Sequence, residues 1–255
     1  MIRIGALAAG FALAAAAAIG TAMAAGGAKH GEPQDWHFEG VFGTYDRAQL
    51  QRGYLVYRDV CSGCHQLKYI QFRHLRDIGF SEQQVKALAA EIEVEDGPDD
   101  DGEMFTRPGS LSDDLPAPFP NDNAARASNN GALPPNLSLI TKARTDGPNY
   151  VFALLTGYTD APADVELADG MNYNPYFAGG QIAMAPPLSE DAVEYADGTK
   201  ATVEQMSRDV VAFLAWAAEP TLEDRHRLGF KVLVFLIILT VLLYLAKQRV
   251  WRDVH

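Results

Sequence analysis

Cys61-Ser62-Gly63-Cys64-His65 reads C-x-x-C-H, the attachment signature of c-type haem. Two thiols at this spacing each reach one of the two vinyl groups of a single haem. The adjacent histidine then presents an imidazole to the iron from the proximal side. The small Ser62 and Gly63 let the chain run close to the porphyrin edge. Both cysteines of the chain lie inside this motif. A multi-disulfide scaffold, a four-cysteine zinc site and an iron–sulfur cluster built by this chain alone are therefore excluded. A thioredoxin-like C-x-x-C requires a βαβ setting that the flanking sequence lacks. A structural disulfide here would close too short a loop to contribute much.

Working outward, Leu50, Gly53, Tyr54, Tyr57 and Val60 recur at helical spacing just before the motif. Further helices are expected over 80–92, opening at Ser81, and over 149–156. A fourth is expected over 202–218, where Thr202-Val203-Glu204-Gln205 has the pattern of a capping box and Glu219-Pro220 ends the run. Strand signals are weak and no internal repeat is visible. Residues 93–136 carry seven prolines in long loops, a length usually functional or wrapped on a ligand. On the residues alone the body reads as helices and long loops.

The ends of the 255-residue chain differ from its middle. Residues 1–24 have a basic start, an Ala-rich apolar stretch and an Ala22-Met23-Ala24 cleavage pattern, and read as a secretory signal peptide. One arginine and no serine argue against a mitochondrial transit peptide. Residues 229–246 carry Lys231 as their only charge and, as a helix, span about 27 Å, enough to cross a hydrocarbon core. Lys247, Arg249, Trp251 and Arg252 follow, which places the C-terminus in the cytoplasm. The expected organisation is a signal peptide at 1–24, a periplasmic domain at 25–227, an anchor at 228–247 and a cytoplasmic tail at 248–255. Export also delivers the chain to where c-type haem is attached.

The whole chain carries a formal charge of −12, and residues 25–230 alone carry −16. Phosphates repel such a surface, so a general nucleic-acid function is excluded, while basic partners are steered toward it. Residues 91–103 concentrate eight carboxylates. They read as a solvated loop, with a docking patch for a basic partner and a calcium site as the other readings.

A high-potential carrier places a methionine opposite the histidine, because the soft thioether favours ferrous iron. The candidates are Met104, Met171, Met184 and Met206. Met206 lies on an amphipathic helix, where core packing is the simpler role. Met184, between small residues and Pro186-Pro187, sits in a stiff extended loop and is favoured over Met171.

Taken together, several segments resemble the cytochrome c1 family, the haem subunit of ubiquinol–cytochrome c reductase. They include Val60-Cys61-Ser62-Gly63-Cys64-His65, Asn129-Asn130-Gly131-Ala132-Leu133-Pro134-Pro135-Asn136-Leu137-Ser138, Asn174-Pro175-Tyr176-Phe177, Met184-Ala185-Pro186-Pro187 and Trp216-Ala217-Ala218-Glu219-Pro220. The resemblance runs in order over nearly all of residues 35–250. It implies a mainly α fold, the c-type cytochrome fold with long loop insertions plus one C-terminal transmembrane helix, and one covalent haem c at Cys61 and Cys64, with His65 and Met184 as axial ligands. It further implies that Arg144 pairs a haem propionate and that Pro134 and Pro135 line the His65 side. Tyr150, Leu154 and Phe177 would pack the pocket, with Asn129 among the residues around the haem. The implied role is one-electron transfer from a Rieske iron–sulfur protein to a soluble cytochrome c, beside cytochrome b in the bilayer of the bacterial inner membrane. No residue is expected to act as acid, base or nucleophile, and the chain alone is not expected to be an enzyme. Some bacterial members carry a further disulfide, for which this chain has no cysteines. Two other classes stay open on the residues alone: a different membrane-anchored cytochrome c, and a haem enzyme with an open sixth position.

Overall fold

The computed structural model describes residues 28–252. The expected signal peptide lies outside the described residues. Asp46 opens the first helix, α1 (Arg47–Val56), by accepting hydrogen bonds from the backbone N–H groups of Ala48 and Gln49. The helix does not end where its α-helical bonding does. It runs into a π-helical turn, Tyr57–Cys61, in which Ser62 N–H donates to the Tyr57 carbonyl. A 3-10 helix (Phe72–Ile78) leads to α2 (Glu82–Ala90), and Ser81 and Gln84 close a reciprocal capping box at its start.

The acidic stretch is not an open loop. It forms a hairpin of β1 (Glu93–Asp96) and β2 (Phe105–Pro108), paired antiparallel from Glu93–Pro108 to Asp96–Phe105. Arg107 crosses from β2 to Asp96 and, at 2.6 Å, to Asp113. Asp99 accepts from the N–H groups of Asp101 and Glu103 inside the turn. No cluster of three or more metal-binding side chains occurs among the described residues, so nothing supports the calcium reading.

The helices α3 (Asp122–Ser128), α4 (Ile140–Ala143) and α5 (Gly147–Thr156) follow, with a 3-10 turn (Leu137–Leu139) before α4. A two-residue ladder joins β3 (Asn172–Tyr173) to β4 (Gln181–Ile182). Then come α6 (Val203–Ala218) and α7 (Leu222–Trp251). Helix dominates, with two short hairpins where the sequence showed only weak strand signals.

The body is organised by the crossing of α1 over α6. Phe213, Trp216, Tyr54 and Tyr57 form a continuous aromatic cluster there, with ring centroids 5.6–5.9 Å apart. The crossing is close because Gly53 has no side chain: a Cβ at that position would lie 2.0 Å from the Asp209 carbonyl oxygen and 2.7 Å from the Phe213 Cβ. Gly53→Ala should therefore push the helices apart and destabilise the body by about 2–3 kcal/mol, read as a lower thermal midpoint. A midpoint within 1 °C of the parent would show that the crossing is not tight.

At the start of α6 the expected capping box is half formed. The Thr202 hydroxyl accepts from Gln205 N–H at 3.1 Å, but the Gln205 amide turns inward to Asp209 at 2.9 Å. Drawn to the buried carboxylate, the Gln205 side chain does not turn back to accept from Thr202 N–H, which donates to the Lys200 carbonyl at 3.0 Å.

The last helix is continuous from Leu222, so the expected boundary between domain and anchor at 227/228 falls within it. Its first turns belong to the body. Glu223 accepts from Tyr45 N–H at 2.9 Å and from both terminal nitrogens of Arg47 at 3.1 and 2.9 Å. Beyond them, none of the apolar window is buried, its mean hydropathy is 2.6, and the helix is long and apolar enough to cross a membrane.

Candidate functional site

The π-helical turn delivers the C-x-x-C-H motif. Widening the last turn of α1 to an i→i+5 bond re-aims the backbone, and Cys64 N–H and His65 N–H both return to the Cys61 carbonyl, at 3.1 and 2.9 Å. The buried Tyr57 ring anchors this turn from below, its hydroxyl donating to the His65 carbonyl at 3.0 Å. Cys61 is half-buried, Cys64 is exposed, and the two are free thiols. Burial pushes the Cys61 thiol up to about 12, which keeps it protonated at neutral pH.

The His65 ring is held by a residue 70 positions away. Its Nδ1 lies 2.8 Å from the Pro135 carbonyl. A carbonyl only accepts, so Nδ1 carries the proton and Nε2 keeps its lone pair. Burial holds the imidazole below its ordinary proton affinity, with the Pro135 bond opposing in part, and so favours the neutral, ligating ring. The segment that supplies Pro135 is itself tied down beside the motif. Leu137 N–H donates to the Gln66 carbonyl at 3.0 Å, and Tyr69 N–H donates to the Ser138 hydroxyl at 3.1 Å.

A second group gathers around α5. The fully buried Asn174 donates from its side-chain amide to the Leu154 carbonyl at 2.8 Å, hanging the loop after β3 on the end of that helix. Gly157 lets the loop close, since a Cβ there would strike the Tyr176 ring at 2.4 Å. The Tyr158 hydroxyl donates to the Met184 carbonyl at 3.0 Å, and the Asn172 amide approaches the same oxygen at 3.4 Å. Tyr150, Leu154, Phe177 and Met184 are all half-buried in this region. Met206, by contrast, is fully buried in α6, Met104 is 56% exposed at the foot of the hairpin, and Met171 is half-buried.

The remaining expected residues stand apart. Arg144 is exposed at the end of α4; its guanidinium donates to the neighbouring Ala143 carbonyl at 3.3 Å and makes no ion pair among the described residues. Asn129 caps α3, its amide donating to the Ala125 carbonyl at 2.7 Å. Pro134 and Pro135 accompany the motif, but no described hydrogen bond joins the His65 group directly to the Met184 group.

Sequence reasoning assigned no site role to Tyr57, Ser138, Tyr158 or Asn174. Tyr57 was legible only as part of an apolar stripe, and the other three act through backbone contacts that residue spacing does not reveal.

The donor set fits a c-type haem. It offers two free thiols at attachment spacing, an imidazole whose Nε2 is left with its lone pair, and a thioether on a pinned loop. A helical body with this motif at the end of α1 and an apolar C-terminal helix defines a membrane-anchored c-type cytochrome. Comparison narrows the class. The model of the cytochrome C1 family matches residues 36–254. The chain is 48% identical over 260 residues to cytochrome c1 of Rhodospirillum rubrum, covering 93% of this chain and 96% of that one. It is 54% identical over 225 residues to a mitochondrial cytochrome c1 heme protein of Arabidopsis thaliana, covering 87% and 73%. It is 49% identical over 242 residues to cytochrome b/c1 of Bradyrhizobium diazoefficiens, covering 86% of this chain and 35% of that longer one. The chain belongs to the cytochrome c1 family.

Proposed function

We propose that this chain passes single electrons from a Rieske iron–sulfur protein to a soluble cytochrome c within a respiratory or photosynthetic ubiquinol–cytochrome c reductase. The observation that carries the reading is the 2.8 Å bond from His65 Nδ1 to the Pro135 carbonyl, which orients the ring and frees Nε2 for iron. Bound haem c supplies a one-electron iron couple.

The residues of the chain hold it. Cys61 and Cys64 would provide the two thioether links, and the His65 nitrogen and Met184 sulfur would ligate the iron. Arg144, with no carboxylate partner among the described residues, is available to neutralise a propionate in bidentate fashion. Tyr150, Leu154 and Phe177 exclude water from the Met184 side, while Pro134, Pro135 and Asn129 border the site. No side chain is required to act as acid, base or nucleophile, and quinol chemistry belongs to other subunits. The longer relative named cytochrome b/c1 supports a cytochrome b partner. A signal peptide at 1–24 and α7 as the single bilayer span would put the haem domain on the periplasmic face of the bacterial inner membrane. The strongly acidic body suits a basic soluble partner and disfavours nucleic acid.

Visible spectra of the reduced protein with and without carbon monoxide test the site. A sharp low-spin c-type spectrum indifferent to carbon monoxide is expected, because His65 and Met184 would both ligate the iron. A spectrum that shifts with carbon monoxide would mean an open iron and would return the haem-enzyme reading.

A further inference from the structure

The root of α7 carries a second feature that faces water in the isolated chain. Val41 and Phe42 are 74% and 81% exposed, the most exposed large apolar side chains outside α7 among the described residues. Scattered single apolar side chains on a surface need no explanation, but two adjacent ones at the tip of a rigid turn do.

The turn is built to present them. Thr44 N–H donates to the His37 carbonyl at 2.9 Å and Gly43 N–H to the Gly40 carbonyl at 3.3 Å, closing the loop twice. Trp36, Phe38 and Tyr45 form its buried stem, with successive ring centroids 5.5 and 5.4 Å apart. Gly40 takes a φ of +79°, and at Gly43 a Cβ would lie 2.2 Å from the Phe38 carbonyl oxygen.

The turn is also fastened to the membrane helix. The Gly43 carbonyl accepts from His226 Nδ1 at 3.1 Å, and Tyr45 N–H donates to Glu223. His226 lies three residues, or about 4.5 Å of helix rise, before Gly229, where the apolar stretch begins. Arg225, Arg227 and Lys231 lie on the same turns of α7, Arg225 paired to Glu219 at 2.6 Å and Arg227 to Asp224 at 3.5 Å, with Glu39 as the acidic neighbour of the turn. Basic side chains at this depth, apolar ones just beyond and a rigid apolar tip beside them describe a headgroup boundary.

We propose that the 40–43 turn is a membrane-contacting finger. Val41 and Phe42 enter the boundary between headgroups and acyl chains, and with α7 they hold the body at a set tilt over the bilayer. The occupant is lipid, and the proposal rests on α7 as the span. The test uses membranes containing the full chain in its native complex and a phosphatidylcholine carrying a photoreactive diazirine on its acyl chain, followed by peptide mapping. Adducts are expected on residues 40–43 as well as on α7. A Val41→Ser/Phe42→Ser variant should lose turn adducts at least several-fold while those on α7 persist. Adducts on α7 with none on the turn would overturn the proposal, whether the turn is bare or covered by another subunit. Absence of adducts on α7 would overturn the span itself, and the finger with it.

Discussion

Met184→Leu is expected to leave the haem covalently attached while its midpoint potential falls by on the order of 0.1 V or more, within the roughly 0.8 V range that axial ligands command. The reasoning is local. Tyr158 and Asn172 hold Met184 through its backbone carbonyl, at 3.0 and 3.4 Å, so a leucine keeps the loop in place and removes only the sulfur. Without the thioether the ferrous state loses its soft ligand, and the oxidised state gains. The thiols at positions 61 and 64 are untouched, so denaturation should not release the haem. Redox titration of the variant beside Met171→Leu gives the comparison, the second variant being expected to match the parent. An unchanged midpoint for Met184→Leu, or a fall confined to Met171→Leu, would move the ligand.

Arg52→Leu is the second large effect. Asp209 is fully buried where α6 crosses α1. It takes hydrogen bonds from Arg52 Nε at 2.9 Å and Nη2 at 3.3 Å, and from Gln205 at 2.9 Å. Arg52 also reaches Asp197 at 2.8 Å, at the surface. Removing the guanidinium strands a carboxylate in the core, and breaking such a pair costs about 3–5 kcal/mol. For a body of this size that is a drop on the order of 10 °C in the thermal midpoint. The double variant Arg52→Leu/Asp209→Leu should recover most of the loss, because two apolar groups leave no stranded charge. A single variant that melts within 2 °C of the parent would mean that water or another donor already satisfies Asp209. The consequence reaches the site, since α1 carries the C-x-x-C-H motif at its end and the Asp209 contact sets its angle to α6.

Periodic, locally encoded elements are legible in the sequence. Helix α6 matches the stripe of Val203, Met206, Val210, Phe213 and Leu214, and α2 begins at Ser81, the cap that the residues announce. The helical reading over 80–92 overruns α2 at both ends, because Gly79 in a left-handed conformation and the turn into β1 break it. The π turn at Tyr57–Cys61 was invisible, since one residue of slippage leaves an apolar stripe nearly intact. The hairpin at 93–108 was hidden for a different reason: its strands are mostly exposed, so no alternation of apolar and polar residues marks them.

The chemistry and the anchor are written in contiguous residues. Five positions set two thiols and an imidazole at the spacing of c-type haem attachment, and one apolar run is long enough to cross a bilayer; neither pattern depends on what the rest of the chain does. Orientation is another matter. That the Pro135 carbonyl sets the His65 tautomer, that Tyr158 and Asn174 tie the Met184 loop to the end of α5, and that Glu223 and His226 clamp the last helix to the body are facts about residues 20 to 183 positions apart. Short-range spacing encodes geometry because covalent bonds transmit it. A hydrogen bond between distant residues forms only when packing of the whole body brings them within about 3 Å, so it appears only in the folded chain.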